Sequence, residues 1–162
     1  MECIAWFLEN FGFAMLLLAV IIIVFQRFIS PLPLAEIVYR WIALFPLGFT
    51  GIYTFVIHAF YPNISAQNIG WVSSPFQYEV AIADLTIGVL GILSFKASAG
   101  FRLATVIAAM CWLWGDAIGH VRQMLINQNF APGNAGSWFW MDVFIPLILL
   151  VSIISLRRRA QS

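Results

Sequence analysis

Five apolar runs, each about twenty residues or longer, occupy most of this 162-residue chain and leave lipid as the solvent it can fold in. A helix needs roughly 20 mostly apolar residues to cross a bilayer, and runs over about 4–29, 37–60, 78–98, 101–125 and 137–156 meet that need. Composition agrees with the runs. The chain is 62% hydrophobic and only 9% charged, whereas a soluble domain is about 25% charged, so it lacks the side chains to cover a water-facing surface. The fold expected is all-α: an integral membrane bundle of five transmembrane helices, built as one domain over 1–162. The same arithmetic disfavours a soluble enzyme, a disordered segment and a disulfide scaffold. With a net charge of +1 and no basic stripe, the partner expected is the lipid bilayer and not a nucleic acid.

The connectors carry turn chemistry. Ser30-Pro31-Leu32-Pro33 stops the first run, and the uncharged stretch 61–77 holds Pro62, Asn63, Gly70 and Pro75. Ala99-Gly100 forms a tight helical hairpin, and Ala131-Pro132-Gly133-Asn134 turns the chain before the last run. Glu2 and Glu9 precede any basic residue, the reverse of a secretory signal. Cys3 and Cys111 form neither a CxxC motif nor a zinc set, and Cys111 is expected to pack as a small hydrophobe.

Orientation follows from the basic residues. With the N-terminus outside, the inner face owns Arg27, Arg40, Lys96, Arg102, Arg157, Arg158 and Arg159, while the outer face keeps only Arg122. That asymmetry places the N-terminus outside and the C-terminus inside. A four-span alternative, with the first run lying on the surface, puts two basic clusters on the wrong side. Trp6, Trp71, Trp138 and Trp140 then read as anchors at the outer interface and Trp41 at the inner one, with Trp112 and Trp114 packed between helices. No internal repeat is found, and five spans do not support an inverted-repeat transporter core.

In a bilayer the informative residues are ionisable ones inside the spans, because each costs roughly 2.5–3.5 kcal/mol there and needs a partner. They are His58, Glu79, Asp84, Asp116, His120 and Asp142. At 1.5 Å per residue, Glu79 and His58 lie roughly 3 Å inside the outer edge, His120 roughly 6 Å, Asp142 roughly 7 Å, Asp84 roughly 10 Å and Asp116 roughly 12 Å. Six groups from four runs thus share the outer half. Asp116 and His120 are four apart and project from one face, with Gly115 and Gly119 beside it to admit a neighbouring helix. Gly48, Gly51, Thr54 and His58 make a second small-polar face, and Gln77, Asp84, Gly88 and Gly91 a third. The glycines permit close packing within the chain or in a homo-oligomer. Glu79 is about 140° from Asp84 on an ideal helix and joins the others only if that helix starts irregularly. Pro146 removes the hydrogen bond to the carbonyl of Asp142 and is expected to kink the fifth span.

Four readings of this cluster stand open. Carboxylates pair with His58, His120 and Arg122 and clamp the bundle. Alternatively His58, Glu79, Asp84, Asp116 and His120 ligate iron, zinc or manganese, with Asp142, Gln77 and Arg122 orienting or tuning the ligands from behind. A proton or ion path, and a pocket for a small polar ligand or lipid headgroup, complete the set. Binding or conduction of a small polar species, a metal ion first, leads. The rivals are a membrane oxidoreductase using that metal and an accessory subunit whose ionic cluster only locks the fold, so whether the chain is an enzyme stays open. No G-x-S-x-G or H-E-x-x-H occurs, which disfavours a nucleophilic hydrolase. The Asn63-Ile64-Ser65 glycosylation triplet receives no weight.

Residues 70–85 (GWVSSPFQYEVAIADL), 115–120 (GDAIGH) and 131–136 (APGNAG), with the segment around His58, Phe60, Tyr61 and Pro62, resemble the pattern of a family of small bacterial membrane proteins of unknown function. The resemblance implies a bacterial cell (inner) membrane and a bundle of four or five spans. It puts the family's motif residues on His58, Glu79, Asp84, Asp116 and His120, and it brings no substrate. A looser similarity to small DoxX-type proteins concerns shape. The translocator-protein family shares the length and span number, but its proline-and-tryptophan signature is absent here.

Overall fold

The computed structural model describes residues 2–161; the side chains of residues 2–5 and 160 lie outside that description, that of Cys3 among them. Apolar runs close their own backbone hydrogen bonds by coiling, as lipid demands, and among the described residues no strand occurs. Helix α1 (Glu2–Glu9) is followed by α2 (Phe11–Ile29) and α3 (Leu34–Phe60), then by the short α4 (Pro62–Ile69). Next come α5 (Phe76–Ser94), α6 (Ala99–Asn127), the single turn α7 (Pro132–Ala135) and α8 (Ser137–Gln161). Five stretches are long and apolar enough to span: Phe11–Ile29, Leu34–Phe60, Phe76–Ser94, Ala99–Asn127 and Pro132–Arg159. The chain is a multi-pass membrane protein.

The first run, expected as one helix over 4–29, is two. The chain breaks at Asn10, whose backbone leaves the helical region, and its side-chain amide donates back to the carbonyl of Trp6. The second span is continuous but contains a π-helical stretch over Ala43–Phe49. Its cause is Pro46, which has no N–H and whose ring crowds the carbonyl four residues back. The ladder re-forms five residues apart, with the N–H of Thr50 reaching the carbonyl of Phe45.

Helices α3 and α5 meet backbone to backbone. A Cβ on Gly51 would lie 2.7 Å from the Cα of Gly88, and one on Gly91 would lie 2.7 Å from the carbonyl oxygen of Ala43. The glycine faces of the second and third spans are thus used within the chain. Around them Tyr39, Ile42, Val106, Ile145 and Leu149 form the buried core. Two expectations fail at the periphery. Cys111 points outward instead of packing inside. Gly115 and Gly119 do not admit a neighbouring helix, because nothing lies within 4 Å of a Cβ built on either.

At one end of the bundle, where α5 turns into α6, the polar groups form a closed cluster. Arg102, only 7% exposed, gives Nη1 to Glu36 Oε2 at 2.7 Å and Nη2 to Glu36 Oε1 at 3.0 Å. Its Nε and Nη2 also reach the carbonyls of Ser94 and Phe95 at 3.1 and 2.8 Å, while its guanidinium lies over the Tyr39 ring. Arg40 Nε adds a bond to Glu36 Oε1 at 2.6 Å. Trp41 belongs to this end, donating to the side chain of Gln26 and stacking on Phe45.

Candidate functional site

The opposite end of the bundle encloses a chamber of about 670 Å³. Antiparallel neighbours put the end of α3, the first half of α5, the last half of α6 and the start of α8 at one level. His58, Gln77, Asp84, Asp116, His120 and Asp142 consequently all line this one space. Glu79 and Arg122, also expected at the site, do not. Both are exposed and outside the lining. Helical phase explains Glu79: α5 starts regularly at Phe76, so Gln77 and Asp84 face inward and Glu79 turns away.

Residues outside the spanning core roof the chamber. Helix α4 ends at Gly70, whose φ of 77° is left-handed and open to glycine at little cost. The same glycine leaves space for Asn129, whose side-chain amide donates to the carbonyl of Ile69 at 2.9 Å. Gly133 of α7 sits against the backbone of Asn68, where a Cβ would come within 2.9 Å of the carbonyl oxygen. Two glycines of the sequence motifs therefore let α4 and α7 lie against each other.

The histidines are built into this roof. His58 Nδ1 lies 2.6 Å from Gln77 Oε1, and Ser65 Oγ is 3.0 Å from His58 Nε2. An amide oxygen only accepts, so Nδ1 carries the proton toward Gln77, and the Ser65 hydroxyl stands 3.2 Å from Nδ1 as well as 3.0 Å from Nε2. His120 Nδ1 lies 2.8 Å from the side-chain oxygen of Asn134. Asn134 is fully buried. Its amide nitrogen donates to the carbonyls of His120 and Asn129 at 3.3 and 2.9 Å, which orients the oxygen toward the ring. His120 Nε2 then faces Asp142 Oδ2 at 3.6 Å.

The aspartates are treated differently. Asp84 Oδ1 accepts from Trp112 Nε1 at 3.0 Å, and Asp142 has His120 nearby. Asp116 has no hydrogen bond or ion pair with any described residue. It lies within electrostatic range of Asp84, and Asp142 within range of both. Among the described residues every side-chain oxygen that is sealed from solvent has a partner, so the Asp116 carboxylate, which borders the chamber, is open to it.

The metal set expected from the sequence does not assemble. Among the described residues no group of three or more His, Cys, Asp or Glu side chains is placed to hold a metal ion. The imidazole nitrogens are the physical reason: both of His58 and one of His120 are engaged with Gln77, Ser65 and Asn134. The clamp reading fares no better at Arg122, which pairs with no carboxylate among the described residues.

Several site residues were not singled out in the sequence. Tyr53, Trp71, Trp112 and Trp138 line the chamber, so Trp71 and Trp138 act here as wall and not only as interfacial anchors. Trp138 donates to the carbonyl of Glu9 at 3.0 Å and stacks on Tyr53, which donates to the carbonyl of Leu8 at 2.6 Å. The end of α1, where the break at Asn10 frees those carbonyls, is thereby fastened over the chamber side. Ser65 and Asn134 sat inside recognisable short motifs, and a seven-residue step from His58 to Ser65 was the only available signal for the first. The floor is apolar, with Pro46 and Leu47 of the π-helical stretch beside Ile87, Leu113 and Ile145. Gly115 and Gly119 border it too, and a Cβ on either meets nothing within 4 Å.

The model of a family of unknown function, DUF6790, matches residues 9–162 of the chain. No curated protein and no solved structure matches it.

Proposed function

The chain belongs to the DUF6790 family, which brings no activity with it, and we propose from the geometry that this membrane protein binds a small molecule in the chamber. The observation that carries the reading is the shared lining: His58, Gln77, Asp84, Asp116, His120 and Asp142, from four spans, border one space of about 670 Å³. Ligand sites of roughly 300–1,000 Å³ are characteristically apolar with a few convergent polar groups, and this chamber has that make-up. In our reading the histidines hold the wall and roof, and the aspartates face the ligand. Arg27, Arg40, Lys96, Arg102 and the tail arginines fall toward the end away from the chamber. The positive-inside rule then turns the chamber to the outside of the membrane. In our reading that membrane is a bacterial inner membrane, as the motif resemblance implies.

The test uses the purified full-length protein in neutral detergent and three probes of similar aromatic shape: tetraphenylphosphonium, triphenylmethane and tetraphenylborate. Quenching of the tryptophans that line the chamber reports binding. Saturable one-to-one binding of at least one probe is expected in the parent and is lost in Gly115→Leu/Gly119→Leu, whose side chains fill the space. An equally folded variant that binds as the parent does, or a parent that binds none of the three, would refute the reading.

A further inference from the structure

The charge around the chamber is one-sided. Of the six acidic residues whose side chains are described, four line it: Glu9, Asp84, Asp116 and Asp142. Of the eight lysines and arginines, none does. The most buried guanidinium, Arg102, is committed to Glu36 at the far end. Both histidines have Nδ1 tied to an amide oxygen, and only His120 has a carboxylate near its other nitrogen. Three carboxylates within mutual electrostatic range repel one another, and a bound cation relieves that repulsion.

The lining also says what sort of cation. A bare metal ion needs oxygens or nitrogens converging within roughly 2–2.6 Å, and the described residues offer no such convergence. The space is far larger than an ion and is walled by Tyr53, Trp71, Trp112 and Trp138. Aromatic rings attract onium groups through their quadrupoles and accept apolar substituents beside them. Asp116 supplies what such a ligand lacks inside lipid: a carboxylate open to the chamber with no hydrogen-bond or ion-pair partner among the described residues. We infer that the chamber takes a monovalent organic cation, an ammonium or other onium group carrying apolar substituents, with Asp116 as its counter-charge and the aromatic wall as its cage.

This inference rests on the ligand-chamber reading and narrows it to one chemical class. The probes named above separate the two, since tetraphenylphosphonium and tetraphenylborate share a shape and differ in sign. The expected result is tetraphenylphosphonium bound at least tenfold more tightly than either other probe. Asp116→Asn should weaken it at least tenfold, with Asp142→Asn as the companion variant and a melting curve showing each is folded. Equal or tighter binding of triphenylmethane or tetraphenylborate, still abolished by Gly115→Leu/Gly119→Leu, overturns the cation and leaves the chamber standing. Unchanged tetraphenylphosphonium binding in both folded aspartate variants overturns it as well. No saturable binding of any probe overturns the inference together with the reading beneath it.

Discussion

The two ends of the bundle solve the problem of charge in lipid in opposite ways. At the far end, Glu36 and Arg102 meet in a bidentate pair, with Arg40 and two main-chain carbonyls completing the set. At the chamber end, Asp84, Asp116 and Asp142 lie within electrostatic range of one another with no lysine or arginine in the lining, and only Asp142 has an imidazole, that of His120, beside it. A polar network whose members are all satisfied rigidifies what it joins. The first arrangement therefore holds α3 to the α5–α6 hairpin. The second leaves binding capacity unspent, which is what a site for an external partner requires.

The sharpest way to break this contrast is at Glu36. Glu36→Ala leaves Arg102 buried without its counter-ion, and removing one partner of a buried pair costs roughly 3–5 kcal/mol. A large fall in melting temperature is expected, and a loss below about 1 kcal/mol would dissolve the distinction between the ends. Next comes Gly88→Ala, which drives a Cβ to 2.8 Å from the amide nitrogen of Ile52 and 2.9 Å from the carbonyl oxygen of Gly48. Overpacking of this sort costs about 1–3 kcal/mol. Gly115→Ala, in contrast, meets nothing and should leave the melting temperature unchanged or raised, because alanine is the better helix former by about 0.8–1.0 kcal/mol. Destabilisation by both alanines would show that α6 packs where the chamber is drawn.

Asn134→Ala probes the roof. It strips His120 Nδ1 of its acceptor and two carbonyls of their donor, at about 1–3 kcal/mol for a buried group left unsatisfied. Hydrogen exchange should rise locally over α4 and α7 if the roof loosens as a unit. The smallest effect is expected from Asp116→Asn. A carboxylate with no hydrogen-bond partner among the described residues has no bond to lose, and its removal relieves repulsion with Asp84 and Asp142, so stability should hold or rise, by no more than about 0.5 kcal/mol. A substantial loss there would make Asp116 a structural group after all.

Much of the fold was legible in the residues one by one. Run length and hydropathy predict the five spans, because a helix in lipid must satisfy its own backbone whatever its neighbours do. Glycines at 48, 51, 88 and 91 mark a close crossing. The same residue type at 115 and 119 carries the opposite meaning, and nothing local distinguishes them: one pair looks across at another backbone, the other at open space. Pro46 lies inside the second run, where no consequence was expected of it; the π-helical stretch it causes depends on how the backbone ladder re-forms around it.

The site divides along the same line. Position along a helix is a one-dimensional quantity, so the sequence alone determined that His58, Asp84, Asp116, His120 and Asp142 share a level. Which of them pair is a matter of azimuth and of segments far away in the chain. Asn134 reaches His120 from across a loop, and Ser65 and Gln77 reach His58 from two other helices. Tertiary structure alone decided that the imidazoles are taken up by amides and a hydroxyl, that Glu79 faces away, and that Asp116 is left open. Hydrogen bonds act over about 3 Å, and only the folded bundle brings groups from separate helices within that distance.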